Sequence, residues 1–131
     1  MIASQATLST LLGMFDPADA RTWPSDTVVL RGGVGGVQEL RETVQRDGSW
    51  SVRCRPFVPL RFLAGSVRNG HIRWAALSLV LALGATVVPT DQEGDPPYHC
   101  ELAGLTPEQF DSILGWPEPN PVAASDRWRS R

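Results

Sequence analysis

The order of apolar and polar positions along the chain predicts a small protein that contains both strands and helices. Short β-branched or alternating runs predict strands at 27–31, 50–54, 85–88 and 98–102. Apolar residues at helical spacing predict one helix over 2–15 and a second, buried central helix over 72–83. A further helix begins at Thr106, where Thr106 and Gln109 form a capping box. Together these elements predict an α+β fold with a mixed or antiparallel sheet, a buried central helix and helices near both termini.

One segment, residues 40–45, fits either kind of element. The Asp-Gly pair at 47–48 lies between alternating segments, which is a strong local signal for a hairpin, so we expect a strand here. Val37, Leu40 and Val44 also fit one face of a helix, which is the alternative.

A single domain is expected over residues 1–116, because about 100 to 150 residues is the usual length of one domain. Residues 117–131 contain three prolines and three arginines and are predicted to form a mobile tail. Residues 74–90 carry no charge, yet these seventeen residues fall short of the roughly 20 that a membrane helix needs. We therefore expect this stretch in the core and no association with a membrane.

The charged residues exclude several classes of function. A net charge of -2 produces no field that attracts nucleic acid or a membrane surface. All 12 basic residues are arginine, so no mechanism can use a lysine amine.

Cys54 and Cys100 are too few for a disulfide scaffold and, since the N-terminus also lacks the basic region of a secretory signal, we expect a cytoplasmic protein. The spacing of cysteine and histidine matches no zinc pattern, so no metal is expected.

The strand at 98–102 carries the candidate chemistry. Alternation places Tyr98, Cys100 and Leu102 on the core face, and His99 and Glu101 together on the other. A carboxylate beside an imidazole is a usable acid–base pair, although the solvated face of an edge strand has the same pattern. Arginine suits phosphate recognition, and the arginine at 31 precedes two glycines that let a ligand approach; an arginine that simply ends a strand is the alternative.

Five short segments together resemble a class of small bacterial proteins that occur as toxin domains or as short proteins of uncharted function. They are VLRGG at 29–33, WSV at 50–52, ATVVP at 85–89, PYHCEL at 97–102 and GLTPEQ at 104–109. Their order also resembles that of small ADP-ribosyltransferase-like toxins, with an arginine on the first strand, a Ser-Val strand and a late Tyr-His strand. The chain has neither a Ser-Thr-Ser triplet nor a Glu-x-Glu pair.

The resemblance implies NAD as a cofactor and a role for each of five residues. Arg31 would bind the phosphates or a ribose of NAD, and Ser51 would support the nicotinamide ribose. Tyr98 or His99 would contact the nicotinamide. Glu101 would be the catalytic carboxylate that stabilises the ribosyl cation, while the catalytic role of His99 comes from the acid–base pair on the predicted strand.

Two functions are therefore expected. The first is a bacterial toxin-like ADP-ribosyltransferase that uses NAD to modify a macromolecular target, with a cognate antitoxin or another protein of the same operon as its partner. The alternative is a non-enzymatic protein-binding accessory module of a bacterial defence or regulatory system, with its tryptophan-bearing loops and its acidic loop as the contact surface.

Overall fold

The computed structural model describes residues 15–90 and 92–122, and the predicted α+β class is confirmed. The strands are β1 (Val28–Gly32), β2 (Trp50–Arg53), β3 (His71–Ala76), β4 (Thr86–Pro89), β5 (His99–Ala103) and β6 (Glu118–Pro119). The helices are α1 (Val37–Asp47), α2 (Leu60–Gly65), α3 (Leu77–Ala82) and α4 (Pro107–Ile113), and a single 3-10 turn at Ala20–Thr22 precedes β1. Among these residues, no helix is long and apolar enough to cross a membrane.

The strands form one antiparallel sheet in the order β4-β5-β2-β1-β3-β6. One side, which we call the helical face, is covered by α1, α3 and α4. The main core lies there, around the fully buried rings of Trp50 and Phe110, whose centroids are 4.9 Å apart. On the other side, the open face, α2 packs against Leu30 and Ile72 of β1 and β3. Strands β2, β5 and β4 keep exposed side chains on the open face.

Residues 40–45 are helical, so the predicted strand is wrong and the alternative is correct. They belong to α1, whose fully buried Leu40 faces the core. Gly48 does not form a hairpin turn: with φ of 80° it ends the helix, and its N–H donates to the carbonyl of Val44. The Asp-Gly signal misled because a left-handed glycine ends helices as readily as it turns hairpins.

The predicted central helix over 72–83 is also wrong, because its first part is β3 and only its second part is the short helix α3. In the ladder with β1, Ile72 lies opposite Gly32 and Trp74 opposite Leu30, so successive side chains alternate between the two faces. A run that is apolar on both faces fits a period of 2 and a period of 3.6 about equally well. The backbone pairing offered by β1 therefore decides the outcome.

The ends of the fold also differ from the prediction. The expected helix over 2–15 lies outside the described residues except for its last position. Glu118 pairs with β3 as part of β6, and Asn120 is buried, with its side-chain amide donating to the carbonyl of Ala64. The predicted tail therefore begins too early: the packed chain continues beyond residue 116, and α4 is followed by a strand. Residues 123–131 lie outside the described part of the chain.

Candidate functional site

Four polar side chains on β2 and β5 lie on the open face, and we call them, together with Thr90 just after β4, the polar strip. In the antiparallel ladder, Ser51 lies opposite Glu101, and Arg53 lies opposite His99. The alternating residues of both strands are buried on the helical face. The strip is thus fixed by the same alternation that builds the core.

His99 is the centre of the strip. Only 8% of the residue is exposed, and both ring nitrogens have a hydroxyl partner. Its Nε2 lies 2.6 Å from the Oγ of Ser51, and its Nδ1 lies 2.5 Å from the Oγ1 of Thr90. Ser51 itself is exposed. The arrangement therefore consists of an accessible hydroxyl, a shielded imidazole and a third group that orients the ring, as nucleophile–base pairs in enzymes require.

Glu101 supplies a negative charge at one end of the strip. Its Oε2 accepts a hydrogen bond of 2.9 Å from the Oγ of Ser49, and its Oε1 lies 3.9 Å from the Nε2 of His99. The side chain is 43% exposed, so the carboxylate group is within reach of a ligand in solution.

Arg53 supplies a positive charge without an acidic partner. Among residues 15–90 and 92–122, no carboxylate forms an ion pair with it, and its Nε is buried without a hydrogen bond. Its Nη1 lies 3.5 Å from the Oγ of Ser51. Burial lowers the pKa of the guanidinium, and the nearby Cys100 thiol opposes this effect. A half-buried guanidinium that lacks a counter-charge is a favourable place for an anionic group of a ligand.

Arg31, which the sequence placed in the site, lies on the helical face instead. Its Nη2 donates to both carboxylate oxygens of Glu39, at 2.9 and 2.7 Å, and its Nη1 donates to the carbonyl of Ser51. Burial would raise the pKa of Glu39, but hydrogen bonds from Thr43 and Arg31 outweigh that effect and lower it. The guanidinium therefore ties α1 to the sheet, and it does not reach the polar strip.

Tyr98 also departs from its predicted place. It precedes β5 with a φ of 65°, a backbone conformation that a residue other than glycine rarely adopts. This turn removes it from the alternation, so it does not share the core face with Cys100 and Leu102. Its ring packs against the open-face cluster around Leu30 and Leu63. Of the residues predicted from the sequence, Ser51, His99 and Glu101 come together, whereas Arg31 and Tyr98 do not join them.

Sequence reasoning missed two members of the strip. Alternation on the predicted strand does place Arg53 on the same face as Ser51, but no role in the site was expected for Arg53. No sequence pattern places Thr90 in the site. It reaches His99 only through the pairing of β4 with β5, which continues in a 3.1 Å hydrogen bond from the N–H of Thr90 to the carbonyl of His99.

Neither cysteine presents a thiol for catalysis. Cys54 and Cys100 are both reduced and fully buried on the helical face. The hydrogen bond between the two thiols, together with burial, raises the pKa of Cys54 far above its ordinary value. A thiol that resists ionisation is a poor nucleophile, so the chemistry of this region belongs to the hydroxyl, imidazole and carboxylate of the strip.

A separate cavity of about 360 Å³ lies on the helical face beside α4. It is lined in part by Val34, Arg73 and Trp116, and the indole of Trp116 is 89% exposed. The Arg73 guanidinium is already bonded to surrounding carbonyls and to Asp111. The cavity therefore presents the exposed indole of Trp116 beside a guanidinium whose donors are already engaged.

No protein-family model matches the chain, and no solved structure matches it. The resemblance to bacterial toxins and to ADP-ribosyltransferase-like proteins therefore stays a prediction from short motifs. Function therefore has to be inferred from the polar strip and from the cavity beside α4, because a fold alone does not specify one.

Proposed function

We propose that the protein is an NAD-dependent ADP-ribosyltransferase whose active site is the polar strip. The observation that carries this proposal is the presence of a carboxylate, an imidazole and an unpaired guanidinium on one exposed face of β2 and β5. The guanidinium and the carboxylate suit ADP-ribosyl transfer, because its substrate has an anionic diphosphate and forms a cationic ribose centre as nicotinamide leaves.

Each side chain has a role in this reaction. Arg53 binds the diphosphate of NAD, in place of Arg31, since charge-assisted hydrogen bonds between guanidinium and phosphate are strong. The bond between the ribose carbon and the nicotinamide nitrogen breaks, and the Oε1 of Glu101 stabilises the positive charge on the ribose, as carboxylates do in glycoside hydrolysis. The acceptor group then bonds to that ribose carbon, and its proton passes to the Nε2 of His99, where it displaces the hydrogen bond of the Ser51 hydroxyl. Ser51 contacts the nicotinamide ribose from its exposed position.

The test is the release of nicotinamide from NAD by the purified protein, with and without added bacterial protein as acceptor. Glu101→Gln should lower the rate at least about 100-fold, because it removes the only negative charge of the strip. Arg53→Gln should raise KM about tenfold or more, since one charge-assisted hydrogen bond contributes about 1.5 to 3 kcal/mol.

Arg31→Gln is the matched comparison, because the sequence assigns NAD binding to Arg31 and the proposal assigns it to Arg53. Its KM for NAD should stay near the wild-type value at a temperature where the variant is folded. No nicotinamide release from the wild type would overturn the proposed function, and a larger KM effect at Arg31 than at Arg53 would overturn the assignment of the arginine.

The non-enzymatic alternative is favoured by a different observation, the exposed apolar surface around the cavity beside α4. Trp116 and Val34 are 89% and 60% exposed, and aromatic anchors of this kind often dominate protein interfaces. In this second candidate function, the chain binds a cognate protein of the same operon in the cytoplasm. Stoichiometric co-purification of such a protein with the wild type, and its loss in Trp116→Ala, would support it; equal recovery with both would exclude this surface.

A further inference from the structure

We infer that Ser51 is a nucleophile that accepts an acyl group from a carboxylic ester. His99 activates the Ser51 hydroxyl, and Thr90 orients the His99 ring. The inference stands on the three-residue geometry of the strip and does not depend on NAD. It gives Ser51 a covalent role in a region that the proposed function uses for NAD binding, charge stabilisation and proton transfer.

His99 and Ser51 differ in their exposure to solvent. His99 is buried and needs partners for both nitrogens, whereas Ser51 is exposed and could satisfy its hydroxyl with water. The pair nevertheless forms a short contact, 2.6 Å between Oγ and Nε2. A base shielded from water beside an accessible hydroxyl can take the proton of that hydroxyl when an electrophile arrives.

The imidazole of His99 is held in place from both sides of its strand. The backbone hydrogen bonds of β2 and β5 fix Arg53 opposite His99, and the strand pairing of β4 brings Thr90 to the far nitrogen. In the tautomer with its proton on Nδ1, His99 donates to the Oγ1 of Thr90 and leaves Nε2 free to accept from Ser51. Thr90 is therefore a positioning residue that holds the ring at Nδ1 and accepts its proton's hydrogen bond in the reactive tautomer.

The reaction is balanced with an ester and water alone. The Oγ of Ser51 bonds to the carbonyl carbon of the ester while its proton moves to the Nε2 of His99. The Nη1 of Arg53, 3.5 Å from that Oγ, places a positive charge near the oxygen that becomes negative. The bond to the alcohol then breaks, and the alcohol leaves with the proton from His99. Water hydrolyses the acyl-serine by the same route and restores the hydroxyl.

The experiment uses p-nitrophenyl acetate as the ester and the full chain as the enzyme. Acetylation should appear by peptide mass spectrometry on the peptide that contains Ser51, together with release of p-nitrophenol. Ser51→Ala should abolish both, and its unfolding midpoint is measured beside that of the wild type because the change removes the hydroxyl partner of His99. Ser112→Ala is the matched control, because Ser112 is a serine on α4 outside the strip, and its release rate should equal that of the wild type.

Two further variants separate catalysis from a purely structural hydrogen bond. His99→Asn should lower the acetylation rate by about 100-fold to 10,000-fold, the usual contribution of a general base. Thr90→Val should lower it by about tenfold without changing KM, because the ring loses its orienting partner but the ester still meets the same surface. Circular dichroism and urea unfolding confirm that each variant is folded.

Acetylation of Ser51 that requires His99 supports the inference, whatever the outcome with NAD. Acetylation at other residues only, or equal rates in the wild type and Ser51→Ala, would overturn it. Nicotinamide release is measured in a separate assay, so the two proposals can fail independently. If the NAD proposal is wrong, the wild type releases no nicotinamide. If Ser51 is not a nucleophile, no acetyl label appears on Ser51.

Discussion

We expect Arg73→Ala to lower the free energy of unfolding by about 3 to 5 kcal/mol, as breaking a buried ion pair does. Every N–H group of the Arg73 side chain is engaged. Its Nε donates to the carbonyl of Gly115, its Nη1 to the carbonyl of Gly35 and the Oδ1 of Asp111, and its Nη2 to the carbonyls of Asp111 and Leu114. The side chain thus fastens the end of α4 to β3 and to the loop before α1.

The magnitude follows from what the substitution leaves behind. The Arg73 side chain is 9% exposed, whereas that of Asp111 is 32% exposed, so water partly compensates the carboxylate that loses its partner. This places the ion-pair contribution near the lower end of the range, at about 3 kcal/mol. Of the four carbonyls that accept from Arg73, only that of Leu114 does so in a buried bond, and leaving it without a donor costs about 2 kcal/mol, which extends the estimate to about 5 kcal/mol.

Urea unfolding monitored by tryptophan fluorescence measures the effect, with the m-value as a check that the unfolded states remain comparable. Arg73→Lys should recover only part of the loss, because an ammonium cannot reproduce the planar set of five donors. Arg46→Ala is the control, since Arg46 forms an ion pair with Asp47 while 70% exposed, and its effect on the unfolding midpoint should be negligible beside that of Arg73→Ala. A loss below about 1 kcal/mol in Arg73→Ala would show that this cluster of bonds does not hold α4.

Three other predictions concern the elements that support the strip. The pKa of Glu39 is lowered in the folded state, so its ionised carboxylate contributes stability above the ordinary glutamate pKa of about 4.3. This contribution is lost as pH falls through the lower folded pKa. In Glu39→Gln, the free energy of unfolding measured in urea should therefore change less between about pH 5 and pH 3 than in the wild type. Thr106→Ala removes a capping box and should cost about 1 kcal/mol in the same assay, with Thr106→Ser near neutral. Trp50→Phe should cost about 1 to 3 kcal/mol, because the carbonyl of Leu40 loses the indole donor in the core; an unchanged midpoint would contradict this assignment.

Local patterns predicted those parts of the fold that neighbouring residues decide. Alternation placed Trp50, Val52 and Cys54 towards the core and set Ser51 on the other face. The capping box at Thr106 and Gln109 begins α4 at the predicted position. These features depend on interactions between residues no more than a few positions apart, so the sequence carries them without reference to the rest of the chain.

The errors arose where a segment suits two conformations and a distant partner chooses between them. Residues 40–45 are helical because their apolar face packs against the sheet and α4. Residues 71–76 are a strand because β1 pairs with them along its whole length. Arg31 lies away from the strip because its guanidinium is bound by the carboxylate of Glu39, eight residues further on in α1. Tyr98 leaves its strand because the turn before β5 imposes a positive φ.

The sequence by itself determined the α+β class and the pairing of His99 with Glu101 on one strand face, because side chains on a strand alternate whatever the strand pairs with. Only the tertiary structure decided which groups meet them. Ser51 and Arg53 arrive through the register of β2 on β5, and Thr90 arrives through β4. That register is set by long-range burial of the opposite face, which no local pattern encodes.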